Sequence, residues 1–283
     1  MTERTRVTIP YLREKKAQKK PIVMLTAYDF PCALLEDEVG IDIILCGDSL
    51  GNTVYGFSGT TQVTMDLMIP HTAAVKRAAP HSFVIGDMPF MSYQPSDETA
   101  IRNAGRFLQE AGCDAVKLEG GEEMAERVRA ISRAGIAVQG HLGLTPQYVS
   151  ALGGFKARGR DAAGALKLIR DARIIEEAGA FSIVLEAIPP EIGRIITERA
   201  SIPIIGIGAG PYTDGQVLVI HDILGLLPGR KAKFVKQYCD LESQIRSALA
   251  AYKQDVESGG YPAAEHCYGI DPKVLETIES DLK

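Results

Sequence analysis

Five ionisable side chains stand directly behind short apolar runs. Asp48 follows Leu45-Cys46-Gly47, Asp87 follows Val84-Ile85-Gly86, Glu119 follows Val116-Lys117-Leu118, His141 follows Val138-Gln139-Gly140, and Glu186 follows Ile183-Val184-Leu185. One acid in such a place is often the cap of the next helix. Four acids and a histidine gathered on one rim would repel unless a cation offsets them. A carboxylate set with no cysteine and one histidine suits a hard metal, Mg²⁺ first, with Mn²⁺ or Co²⁺ as other divalent candidates. Mg²⁺ takes only one or two carboxylates, so a chelating 2-oxo acid would complete its shell, its carbonyl polarised and its enolate stabilised. Lys117 lies two residues from Glu119 and shares its side of a strand. It suits either a substrate carboxylate or a buried ion pair with Glu119. His141 reads either as a packed neutral histidine or as a ligand or proton carrier. Glu186 has apolar neighbours, and burial there would raise its pKa towards the range of a working acid or base.

The apolar runs are the elements that would position these groups. Residues 22–25, 41–46, 83–86, 115–118, 137–139, 182–185, 204–207 and 217–220 are near-continuous Ile, Val and Leu, as strands buried on both faces are. The run 217–220 is the weakest of the eight. Between them lie helical stripes: Ala100, Ile101, Ala104, Phe107, Leu108 and Ala111; Met124, Val128 and Ile131; and Leu241, Ile245, Ala248, Leu249 and Tyr252. Gly112, Gly135 and Gly179 each sit between a helical pattern and a strand, where helix C-termini want glycine. Eight such units predict a (β/α)₈ TIM barrel, whose strands direct their carboxyl ends to one active face. A doubly wound sheet is the alternative, but the first strand runs into Thr26-Ala27-Tyr28-Asp29-Phe30-Pro31 rather than a glycine-rich dinucleotide turn.

The chain has 283 residues, 46% hydrophobic and 24% charged, with a net charge of −5. This is ordinary globular composition and argues against disorder or a general nucleic-acid binder. No apolar run is long enough to span a bilayer, and the first residues lack the apolar core of a signal peptide, so a cytoplasmic location is expected. Cys32, Cys46, Cys113, Cys239 and Cys267 are scattered without CxxC spacing and read as reduced, buried thiols. One domain is expected over residues 1–283, with residues 1–20 as an N-terminal segment and 268–283 as a tail. The basic run 13–20 reads as a solvated helix face. Two long connections, 51–65 and 142–164, read as active-site loops, the second carrying Lys156, Arg158 and Arg160. Gly206-Ile207-Gly208-Ala209-Gly210 is either a phosphate loop or a tight turn at the rim.

At these residues the sequence resembles the ketopantoate hydroxymethyltransferase family. The likeness is collinear from about Thr8 to His266. It runs through Leu25-Thr26-Ala27-Tyr28-Asp29, Gly47-Asp48-Ser49-Leu50-Gly51, His71-Thr72-Ala73-Ala74-Val75, Asp87-Met88-Pro89-Phe90-Met91, Val116-Lys117-Leu118-Glu119-Gly120-Gly121, Gly140-His141-Leu142-Gly143-Leu144-Thr145-Pro146-Gln147, the glycine run, and Asp214-Gly215-Gln216. Any one block is modest evidence, and all of them in order are specific.

The resemblance implies a barrel of the phosphoenolpyruvate/pyruvate type. It implies transfer of a hydroxymethyl group from 5,10-methylenetetrahydrofolate to 3-methyl-2-oxobutanoate, giving 2-dehydropantoate for pantothenate and coenzyme A synthesis. It further implies Mg²⁺ at Asp48, Asp87 and Glu119, keto-acid contacts from Asp48, Ser49, Asp87 and Lys117, and Glu186 as the catalytic acid/base. His141 matches a motif position beside the substrate. The family's keto acid carries no phosphate, which weakens the phosphate reading of the glycine run. The family forms ring-like decamers, and Val274, Leu275 and Ile278 would give the tail a stripe to pack on a neighbour. Two rivals remain: a 2-oxo-acid C–C lyase on the same barrel, and a non-catalytic metabolite-binding or assembly protein.

Overall fold

The computed structural model describes residues 4–154, 156–227, 229 and 232–282. Helix α1 (Ile9–Ala17) precedes β1 (Ile22–Thr26), followed by α2 (Phe30–Val39), β2 (Ile43–Cys46), α3 (Leu50–Thr53), α4 (Met65–Ala78) and β3 (Phe83–Asp87). Then come α5 (Asp97–Gln109), β4 (Ala115–Glu119), α6 (Ala125–Arg133), β5 (Val138–Gly143), α7 (Val149–Leu152), α8 (Ala162–Glu177) and β6 (Ser182–Glu186). The chain ends with α9 (Pro190–Arg199), β7 (Ile204–Ile207), β8 (Gly215–Leu218), α10 (Ile220–Leu224), α11 (Leu241–Ser258) and α12 (Pro272–Asp281). The eight strands pair in parallel and close on themselves in chain order, β8 returning to β1.

Strand alternation divides the core in two. Met24, Ile43, Leu45, Phe83, Ile85, Ala115, Val184 and Ile205 point inward and fill the lumen. Ile44, Val84, Val116, Leu118, Val138 and Ile183 point outward under the helices. Inward parity carries on to Asp87, Lys117, Glu119, His141 and Glu186, so the residues that fill the barrel hand over to polar ones at its upper rim. Gly86, on the outward parity, lets α5 close in, because a Cβ there would collide with the Phe107 ring. Helix entries are capped as the sequence permits. Asp29, Thr64, Ser96 and Asp161 each accept a backbone N–H from the first turn of α2, α4, α5 and α8. Gly112, Gly135 and Gly179 adopt φ of 72°, 86° and 108°.

Three expectations need correction. The eighth strand lies two residues earlier than the 217–220 run. Gly215 is the residue that can slip between Ile22 and Ile205, and Ile220 already begins α10, its N–H bonded to Thr26 Oγ1 at 3.1 Å. The basic run is not merely solvated. Lys15 and Lys16 reach Asp42 and Asp214 at 2.6 and 2.7 Å, tying α1 to the barrel's lower end. Only Cys46 and Cys113 of the five free thiols are buried, and Cys267 is exposed. The stripe at 241–252 does form α11, yet no α11 side chain is buried.

Candidate active site

Strand register brings the acids and their partners together. Asp87 is the β-partner of Lys117, and Glu119 that of His141. Lys117 Nζ lies 2.8 Å from Asp87 Oδ1, so its buried partner is Asp87 and not Glu119. His141 Nδ1 is 3.3 Å from Glu119 Oε1, and its Nε2 is 3.1 Å from Glu186 Oε2, so the imidazole bridges two carboxylates. Asp48 sits one turn beyond β2, and its backbone N–H donates to Asp87 Oδ2 at 3.0 Å. Ser49 Oγ lies 2.8 Å from the Tyr28 hydroxyl, which also accepts from Thr26. These groups surround one cavity of about 220 Å³ with Asn52 and Thr60 from the first long connection and Pro146 from the second.

Asp48, Asp87, Lys117, Glu119 and His141 are all buried, while Glu186 retains 14% side-chain exposure. The sealing expected from its apolar neighbours is therefore partial. Burial, together with Asp87 and Glu119, pushes the Asp48 carboxyl well above the usual carboxylate range, although Lys117 and Gln147 pull against it. For Lys117, burial alone would favour the neutral amine, but the three surrounding carboxylates hold it protonated above its ordinary value. Burial and Lys117 likewise disfavour an imidazolium at His141, yet the Glu119 and Glu186 carboxylates outweigh them and raise it to about 9. The rim thus carries an excess of negative charge that Lys117 and His141 only partly balance.

Among the described residues, no three His, Cys, Asp or Glu side chains stand close enough, as placed, to enclose a metal ion. A pair is closer to what Mg²⁺ asks of a protein, the rest of its shell being water or substrate oxygen. Asp87 Oδ1 faces only the Lys117 ammonium among the described residues, and Asp48 lies beside it through its N–H on Oδ2, so two buried carboxylates stand together as the hard oxygen donors such a cation takes. Glu119 is more committed, its Oε2 accepting the Gln147 backbone N–H at 3.0 Å.

Gln147 is the organising residue that pattern reasoning missed. Its Nε2 donates to Asp48 Oδ2 and to the Met88 carbonyl, both at 2.9 Å, and its Oε1 accepts from the Tyr93 hydroxyl at 2.7 Å. A lone glutamine in a loop has no periodicity to mark it. Its place in the Gly140–Gln147 block was the only available signal. Two glycines of the 206–210 run have a packing reason, as the tight rim turn requires. Gly208 takes φ 65°, and a Cβ there would stand 2.5 Å from the Phe234 ring. A Cβ on Gly210 would stand 2.5 Å from Pro190.

Residues 6–264 match the family described as ketopantoate hydroxymethyltransferase. The chain is 55% identical over 273 residues to a protein of Syntrophomonas wolfei named 3-methyl-2-oxobutanoate hydroxymethyltransferase, covering 96% of this chain and 99% of that one. It is 53% identical over 279 residues to the protein of that name from Syntrophobacter fumaroxidans, covering 98% and 99%. Among solved structures, a phosphonopyruvate hydrolase complexed with oxalate and Mg²⁺ aligns over 98% of this chain and 96% of its own with a TM-score of 0.62 at 12% identity. A 2,3-dimethylmalate lyase of the PEP mutase/isocitrate lyase superfamily aligns over 97% of each chain with a TM-score of 0.59 at 16% identity. These two share the barrel with this chain.

Proposed function

The chain belongs to the ketopantoate hydroxymethyltransferase family, and from that premise we propose how its rim performs the family's reaction. The enzyme transfers a hydroxymethyl group to 3-methyl-2-oxobutanoate, giving 2-dehydropantoate for pantothenate synthesis, with 5,10-methylenetetrahydrofolate as the one-carbon donor. Overall the keto acid loses its C3 proton, a bond forms from C3 to the one-carbon unit, one water supplies the hydroxyl, and tetrahydrofolate leaves. The observation that carries this reading is the convergence of Asp48, Ser49, Asp87, Lys117, Glu119, His141 and Glu186 on one cavity at the carboxyl ends of the strands.

Asp48 and Asp87, with Glu119 as a third carboxylate, are the residues that would hold the divalent cation, Mg²⁺ by the hardness of the donor set. Such an ion would polarise the 2-oxo group and so make the C3 proton easier to remove. Lys117, kept protonated among the carboxylates, presents a fixed positive charge to the substrate carboxylate. Ser49, held by Tyr28, offers a hydroxyl to the same substrate. Glu186 moves the proton during folate release and hydroxymethyl formation, and His141 holds its carboxylate in place from behind.

Among the described residues no helix is long and apolar enough to cross a membrane, and we place the enzyme in the cytoplasm. We also take residues 1–283 as one barrel domain with its terminal segments, and read the enzyme as a homo-oligomer, a decamer by family likeness. In support, α11 presents Ile245, Leu249, Tyr252 and Val256 along one exposed face, and α12 presents Val274, Leu275 and Ile278. The test is NMR of purified protein with 3-methyl-2-oxobutanoate, methylenetetrahydrofolate and Mg²⁺. Ketopantoate that disappears on chelation supports both reaction and metal. No product from folded, metal-supplied protein overturns the reading, and C–C lyase assays follow.

A further inference from the structure

The catalytic cavity does not end at the barrel mouth. The Phe234 ring lines it on one side and lines a second, larger cavity of about 670 Å³ on the other. The floor of this second space is apolar, made by Ala187, Ile188, Pro190 and the backbone at Gly208. Arg160 and Lys233 stand on its walls, both exposed. No carboxylate among the described residues pairs with either, whereas Lys117 is paired with Asp87, Lys167 with Asp171 and Arg127 with Asp97.

The position of this space is set by the site itself. Ala187 follows Glu186 directly and is held at φ 48°, a left-handed conformation that a non-glycine residue rarely adopts. Its N–H donates to the Ile207 carbonyl, and its own carbonyl accepts the Arg158 N–H, both at 2.9 Å. The second connection is thereby pinned against the floor, which fixes where Arg160 stands. Glu186 lines the first cavity, and its chain neighbour Ala187 lines the second. The glycine at 208 lets Phe234 lie against the β7 loop, since a side chain there would push the ring away.

An apolar trough with one aromatic wall shared with the catalytic cavity and two cations on its sides fits a ligand of matching polarity. Such a ligand has a flat aromatic body and an anionic tail. We propose that this trough is the subsite for the one-carbon donor. Its pterin stacks near Phe234, its p-aminobenzoyl body lies along Ala187–Pro190, and its glutamate carboxylates meet Arg160 and Lys233. This rests on the hydroxymethyltransferase reading and extends it: the donated carbon must reach the keto acid from an adjoining space, and this trough shares Phe234 with the cavity that holds Glu186. Arg160 offers a planar fork to one carboxylate and Lys233 a point charge to the other.

The test uses the full chain with Mg²⁺ and 3-methyl-2-oxobutanoate present. Calorimetry compares binding of 5-formyltetrahydrofolate with that of its pteroyl analogue lacking the glutamate. In the double variant Arg160→Ala/Lys233→Ala, the glutamate-bearing probe should lose at least tenfold in affinity. The pteroyl probe should bind as it does to the parent, and keto-acid affinity should not move. Phe234→Leu should weaken both probes alike. Unchanged binding of 5-formyltetrahydrofolate in the double variant, or equal losses for both probes, overturns the subsite. If the parent protein still makes ketopantoate in that case, the function stands without it. If the parent neither makes ketopantoate nor binds either probe, both readings fall together.

Discussion

Glu186 and Gln147 make opposite demands on the same rim. Glu186 is partly open, and among the described residues its carboxylate pairs with His141 alone, as suits a group that must gain and lose a proton. Glu186→Gln keeps the shape and removes the proton chemistry. Turnover by NMR should fall by about 10²–10⁴ while calorimetric keto-acid affinity stays near that of the parent. Near-normal turnover refutes its role. Gln147 is sealed and fully engaged. Gln147→Leu strands the Asp48 carboxylate and the Met88 carbonyl in a buried place, which should cost about 1–3 kcal/mol in urea unfolding. A melt indistinguishable from the parent's would show that water replaces it without loss. The acids were legible in sequence because each ends an apolar run, and strand parity then fixes their side. Their partners were not, since Lys117 meeting Asp87, and His141 spanning Glu119 and Glu186, depend on register between strands.

Registers are in turn set by the elements packed outside and below the barrel. In α2, Asp37 accepts the backbone N–H groups of His81 and Ser82 at 3.1 and 2.7 Å, and its Oδ2 lies 2.8 Å from His81 Nδ1. Burial alone would raise its pKa, but these bonds and the Arg4 charge outweigh it and hold the carboxyl below the usual range. A depressed folded-state pKa stabilises above the unfolded value of about 3.9, and that stability drains away as pH falls through the folded value. Asp37→Asn should therefore show its full deficit at pH 7, about 2 kcal/mol for charged hydrogen bonds of this kind. Below about pH 4 the deficit should shrink. Denaturant midpoints at pH 7 and pH 3.5 measure this, and a pH-independent deficit refutes the linkage. The alternation of strands and helices was readable because buried parallel strands are apolar on both faces. The exact place of β8 was not, because it depends on Gly215 fitting between two neighbours. The role of Lys15 and Lys16 was not readable either, because a basic run on its own looks like any solvated face.

At the scale of the whole molecule, the barrel leaves its last helices without a bed. The periodicity of α11 was plain in the sequence, but a stripe does not say what it faces. Leu249 and Tyr252 are about 60% exposed, 63% and 60% respectively. If a second copy covers them, Leu249→Asp with Tyr252→Asp should reduce the mass by light scattering from a multiple to the single-chain 30.5 kDa. A parent protein already at that mass overturns self-association. The ring itself is joined where the two ends of the barrel meet. β1 pairs with β8, the Ile22 N–H donates to the Asp214 carbonyl, and Lys16 grips the Asp214 carboxylate across 198 residues of sequence. Pairings that distant wait for everything between them to arrive. Time should thus leave a mark on the architecture: on this ground the joint should be the last clasp to fasten as the chain folds. In pulse-labelled hydrogen exchange, amides of β8 should gain protection after those of β3 to β6. Simultaneous protection would mean that the ring closes in a single event.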